Sequence, residues 1–241
     1  MQAEEGAGHA TRATRAPVFA LVTLALAATP LEAKLTAALA LEQEGEGGTA
    51  LQQLESLVTA DPTSELARLE TARLGLKLGV NVNRASWHAE IARSLVPENP
   101  RAHYVCALAL DEVGDRAGAI RALEVALALR SDYPDARFRL AGLLSAEQRW
   151  PEAVTMWRLV AKPDAPGARL QLARALEGAG ELKAAEAELK ALTRVEVVRL
   201  GATRALVALL ERLGRRADAA TWRKSLERPA RELRPLKPSA R

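Results

Sequence analysis

Six alanines recur along this chain at nearly one spacing, each followed by partners four and seven residues on. The series reads Ala50/Leu54/Leu57, Ala85/Ala89/Ala92, Ala119/Leu123/Ala126, Ala153/Trp157/Val160, Ala185/Leu189/Leu192 and Ala219/Arg223/Leu226. Successive alanines lie 35, 34, 34, 32 and 34 residues apart. Offsets of four and seven put three side chains on one helix face, and a fixed period of this length marks a stacked supersecondary unit. A small residue lets the helix backbone approach another closely, while its partners fill the space toward a neighbour.

A second apolar helix precedes each alanine, marked by Ala37-Ala38, Ala72, Cys106-Ala107, Leu140-Ala141, Leu172-Ala173 and Leu206-Val207. Gly79, Gly114, Gly180 and Gly214 fall between the paired helices, where glycine suits the left-handed conformation that ends a helix. Pro62, Pro97, Pro134 and Pro166 fall between successive pairs, where no helical N–H is lost. Leu, Ala, Glu and Arg dominate, all of them good helix formers, and β-branched residues form no alternating run. The fold class is all-α.

The paired helices resemble the tetratricopeptide repeat. The best single match runs from Ala102 to Leu129, with Cys106-Ala107, Leu110, Gly114-Asp115, Ala119-Ile120, Leu123 and Ala126-Leu127 in register. The resemblance implies a right-handed α-solenoid of about six helix-turn-helix repeats over residues 31–228. Two departures stand out: the usual aromatic near the start of the first helix is missing, and the fourth repeat is short. One hairpin cannot bury its apolar face alone, so such an array is stable only by stacking. Arg223 stands where other repeats carry Leu, Trp or Ala, which predicts that the sixth hairpin is a solvating cap.

The termini read differently. Arg12 and Arg15 precede the uncharged stretch Val18 to Ala28, with Ala25-Leu26-Ala27 as a small-x-small site. Residues 1–30 therefore carry the layout of a cleaved signal peptide, too short for a stable membrane span, and predict export to the periplasm or cell envelope. Glu4, Glu5 and the long leader favour the alternative, a degenerate repeat helix using Val18, Val22, Ala25 and Pro30 in a cytoplasmic protein. From Arg223 to Arg241 seven cations face two acids, 7 − 2 = +5, against +4 for the whole chain. The basic character thus belongs to the tail, and Pro229, Pro235 and Pro238 predict that residues 229–241 form no regular structure. A nucleic-acid adaptor acting through this tail is the second reading of function. It is disfavoured because no basic face with interleaved aromatics accompanies it.

Catalytic and metal-binding patterns are lacking. His9, His88 and His103 have no partners at metal-ligand spacing, and no cofactor motif is present. The lone Cys106 lies on a predicted buried face, where a thiol is an inert small hydrophobe. Trp150 and Trp157 are expected to pack at the joint and core of the fourth hairpin, and Trp87 and Trp222 to face outward. The chain reads as a non-enzymatic scaffold for a protein or peptide.

The resemblance also implies where a partner would lie. In the repeat family the first helix of each hairpin lines the concave groove. The matching set here is Leu35, Leu39, Tyr104, Leu108, Phe138, Arg139, Leu170, Arg174 and Arg204. This is an apolar floor with three arginines toward its C-terminal half, suited to a segment with apolar anchors and acidic residues. The carboxylate clamp of co-chaperone repeats needs groove asparagines. Asn81, Asn83 and Asn99 all sit near turns, so that clamp is not expected.

Overall fold

The computed structural model describes residues 30–226. The first hairpin pairs α1 (Pro30–Gln43) with α2 (Gly47–Ala60), the second α3 (Glu65–Leu78) with α4 (Val82–Leu95), and the third α5 (Pro100–Glu112) with α6 (Arg116–Leu129). The fourth pairs α7 (Pro134–Ala146) with α8 (Trp150–Val160), the fifth α9 (Pro166–Gly178) with α10 (Leu182–Leu192), and the sixth α11 (Arg199–Arg212) with α12 (Arg216–Leu226). No strand occurs among the described residues. Each helix packs on the next in chain order, so the hairpins form an open stack, an α-solenoid. Odd-numbered helices also touch each other, α3 on α5 and α9 on α11, with no contact of that extent between even-numbered ones. At those two junctions the hairpins are closer on the odd side, which puts the odd-numbered helices on the inside of the curve.

The repeat alanines sit where backbones nearly meet. Ala50, Ala119, Ala153 and Ala185 have no accessible surface, and neither do Ala38, Ala72, Ala107, Ala141 and Ala173 on the paired helices. Larger partners, among them Leu54, Leu123 and Leu189, are equally buried. The inward side of the alanine series is therefore the core side of every hairpin.

Glycine is not alone at positive φ in these turns, since Asn81, two residues after Gly79, and Gln148 adopt it as well. Gly45, Gly79, Gly114, Gly180 and Gly214 all adopt positive φ after the first helix of a hairpin, and Gln148 takes the same role with φ of 58°. A Cβ in the left-handed region costs about 1 kcal/mol. Gln148→Gly is therefore expected to raise stability by about 0.5–1 kcal/mol in urea denaturation, less whatever glycine loses in the unfolded chain. A decrease would show that the Gln148 side chain contributes something its exposed position does not suggest.

The fourth and fifth hairpins meet differently from the others. Trp150 opens α8 and lies over Gly178 at the end of α9, where an added Cβ would come within 2.3 Å of the indole. Glycine at 178 is a packing requirement. At the C-terminal end Arg223 is exposed and pairs back to Glu211 of α11, and of α12 only Ala219 is buried. These features fit a solvating cap. Trp222 departs from its expected outward placement, because it packs half-buried against the core. The leader up to residue 29, with His9, and the basic tail 229–241 lie outside the described residues. Among the described residues no helix is long and apolar enough to cross a membrane.

Candidate functional site

The inner face of the stack divides into two halves. Toward the N-terminus, α1, α3 and α5 surround a cleft of about 370 Å³ lined by Leu39, Glu42, Glu70, Arg73, Lys77 and Arg101, with Gln43 at its edge. Its charges satisfy one another. Glu42 accepts from Arg73 and, at 2.8 Å, from Lys77. Glu70, which is buried, accepts from Arg73 Nε at 2.7 Å and from Arg101. Three hairpins are tied by this ladder. A carboxylate taken out of water is tolerable only with such partners.

The ladder has a pH signature. The hydrogen bond from Arg73, with help from Lys77 and against the effect of burial, holds the Glu42 carboxyl down at about 2. A group whose folded pKa is depressed adds stability above its unfolded value, ordinarily near 4.5. That contribution is lost as pH falls from there toward about 2. Denaturation midpoints should decline across that window, and Glu42→Gln should flatten the decline. A wild-type-like decline in the variant would mean that other carboxylates control it.

Further along, Arg139 of α7 pairs with Asp111 of α5 at 2.9 Å, and Arg212 of α11 pairs with Glu177 of α9 at 2.8 Å. The C-terminal half otherwise offers apolar surface and free cations. Phe138 is 51% exposed and stands edge-on to Trp157, with ring centroids 5.1 Å apart. Trp157 is itself fixed, buried and donating its indole N–H to Ser145 Oγ at 2.9 Å. Beside Phe138 a cavity of about 430 Å³ has apolar walls from Leu159, Val160, Ala165 and Ala168 and charged ones from Asp132, Asp135, Arg137 and Lys162. One turn beyond Phe138, Gly142 meets nothing within 4 Å of where a Cβ would be, so the α7 backbone lies open there.

On α9, Leu170 is half-buried and reaches to 3.4 Å from the Cβ position of Gly201 on α11. Arg174 follows Leu170 by one turn, and Arg204 follows Gly201 by three residues. Both are exposed. Arg174 has only a 3.5 Å contact to Gln171, and Arg204 has no ion pair among the described residues.

The nine expected groove residues therefore separate. Phe138, Leu170, Arg174 and Arg204 share the C-terminal half of the inner face, and Leu39 lines the N-terminal cleft. Leu35 does not line a groove: it is buried against α2 with Ala50 and Leu54. Tyr104 leans on Tyr133 at 5.1 Å and packs against the core, and Leu108 is half-buried. Arg139 is committed to Asp111, because α5 places that carboxylate within its reach.

The residues weighed for chemistry are packed as structural groups. Cys106 is buried, and burial with the nearby Glu90 carboxylate pushes its thiol up to about 12. His103 is buried with Nε2 2.8 Å from the Pro97 carbonyl. His88 is buried 3.4 Å from Arg68 Nη1, and burial followed by the charges of Arg68 and Arg84 pulls it down to about 4. Trp87 is exposed beside it, with the Arg68 guanidinium 5.1 Å from its ring centre. The sequence offered no sign of this Arg68–His88–Trp87 cluster, since its members come from two helices.

Residues 110–160 match the family model of the tetratricopeptide repeat. No curated protein sequence matches the chain. Among solved structures, MamA (41-end) from Desulfovibrio magneticus RS-1 is similar at 18% identity, TM-score 0.62, over 68% of this chain and 93% of that one. YrrB, described as a TPR protein with an unusual peptide-binding site, is similar at 16% identity, TM-score 0.65, over 72% and 90%. A tetratricopeptide repeat protein from Parabacteroides merdae ATCC 43184 is similar at 15% identity, TM-score 0.65, over 82% and 78%. Identities this low speak to the fold alone.

Proposed function

We propose that this chain, a tetratricopeptide-repeat protein, is a non-enzymatic scaffold that holds a segment of a partner protein against the inner face of its stack. The observation that carries this reading is Phe138: a large apolar side chain half open to solvent, locked by a buried tryptophan, beside a cavity with both apolar and charged walls. Rigid aromatic anchors of this kind concentrate binding energy, because little side-chain entropy is lost when a partner covers them. YrrB, whose fold is similar, is described by its peptide-binding site, and a peptide is the ligand class an open groove of helices suits. The non-enzymatic part rests on the packing of Cys106, His88 and His103 as structural groups.

The test is a selection of phage-displayed random peptides on the full chain. Recovered peptides should bind Phe138→Ala at least about tenfold more weakly than wild type, chiefly through faster dissociation. Recovered peptides indifferent to both Phe138→Ala and Leu170→Ala would sink the inner-face reading. Export to the cell envelope belongs to the same proposal and rests on the basic-then-apolar layout of residues 12–28. The mass of the mature N-terminus decides it.

A further inference from the structure

The inner face is not uniformly available, and its charges say what kind of segment it takes. From α1 to α7 the inner cations are matched: Arg73 with Glu42 and Glu70, Lys77 with Glu42, Arg101 with Glu70, and Arg139 with Asp111. On α11, Arg212 is matched with Glu177. Arg174 and Arg204 have no such partner among the described residues. A ligand carboxylate arriving at the N-terminal cleft would have to displace an internal carboxylate from its arginine, one of them the buried Glu70. At Arg174 and Arg204 it would displace only water. Glu112 on α5 and Asp135 on α7 are exposed acids also without ion pairs among the described residues; Asp135 lies one turn before Phe138 on the same helix, and both acids are on helices N-terminal to those that carry the two arginines. These unpaired charges thus change from acidic on α5 and α7 to basic on α9 and α11, where Glu177 and Glu211 are held by Arg212 and Arg223, and apolar Phe138 and Leu170 lie between them.

Resting on the scaffold reading above, we propose that the bound segment is an extended peptide laid across α7, α9 and α11. An apolar side chain sits on Phe138, and two acidic side chains follow it, one reaching Arg174 and the next Arg204. The spacing follows from the fold. Packed helices stand about 8–10 Å apart, and an extended chain rises about 3.3 Å per residue. The two acids are therefore about three residues apart, on the side of the anchor toward α9 and α11. Gly142 supports an extended ligand, since a bare stretch of α7 backbone beside Phe138 lets a main chain approach the helix. Arginine adds direction as well as attraction, because its planar donors can meet a carboxylate two at a time.

The experiment uses the same displayed library, followed by fluorescein-labelled synthetic peptides of the recovered consensus on the full chain. Recovered sequences should carry an apolar residue and two acids about three apart. Arg174→Glu with Arg204→Glu should weaken them by about tenfold or more and abolish the loss of affinity on adding salt. Lys77→Gln, which leaves Glu42 its partner Arg73 and Glu70 both of its own, should leave affinity within about twofold. Sequences that need Phe138 but carry no spaced acids, or that tolerate both arginine reversals, would overturn this inference and leave the scaffold reading standing. Sequences insensitive to Phe138 and Leu170 would overturn both. Circular dichroism of each variant confirms that the stack is intact.

Discussion

Trp157→Ala is expected to lower stability by about 3–5 kcal/mol, the largest effect of any substitution considered for this chain. Trp157 is 2% exposed in the middle of the fourth hairpin, where neighbours on both sides cannot collapse into the space it leaves. Ser145 would also lose its indole partner, and Phe138 the edge contact that holds its ring. Two measurements should therefore move together: the urea midpoint falls, and recovered peptides dissociate faster from whatever remains folded. Trp157→Phe keeps an aromatic ring and removes the N–H, so it should lose less stability than the alanine variant. A Trp157→Ala protein within about 1 kcal/mol of wild type would mean that the fourth hairpin is looser than its burial indicates.

Ala119→Leu and Ala153→Leu test the register itself. Each alanine has no accessible surface and sits on the core side of its hairpin. A leucine there must push two helix backbones apart, at an expected cost of about 1–3 kcal/mol. Because each hairpin touches only its neighbours, the loss should be local and broaden the thermal transition instead of simply shifting it. Exposed alanines tolerate the same change within about 0.5 kcal/mol, and Ala128 on the outer side of α6 is a suitable control. If Ala119→Leu behaves like Ala128→Leu, the helix register drawn from the alanine series is wrong.

Most of the architecture is legible in the sequence. The alanine period gave six hairpins, and the small-residue pairs gave the contact side of the first helices. Four glycines marked turns that do have positive φ, while Gln148 fills the same role with no local signal. The burial of Cys106 follows from its helix face, whereas that of His103 has no such sign in the sequence. The groove set was less legible, since Leu35 points into the core and Arg139 is taken by Asp111. Trp222 was placed outward on helix phase alone, but the packing of α12 on α11 half covers it.

The sequence by itself determined what depends on neighbours three, four or seven residues away: helix type, helix face, turn positions and the period of the array. These are properties of one helix and one turn, and chain geometry sets them regardless of what packs outside. Only the tertiary structure decided which charges are spent and which are free. Glu42 and Arg73 are 31 residues apart, Glu70 and Arg101 likewise, and whether such a pair meets depends on how far one hairpin is rotated and shifted against the next. That offset arises from many side-chain volumes packing at once, Trp150 against Gly178 among them, so a small change in stacking would reassign every inner-face ion pair. The freedom of Arg174 and Arg204 is a consequence of that packing and is not visible in their spacing along the chain.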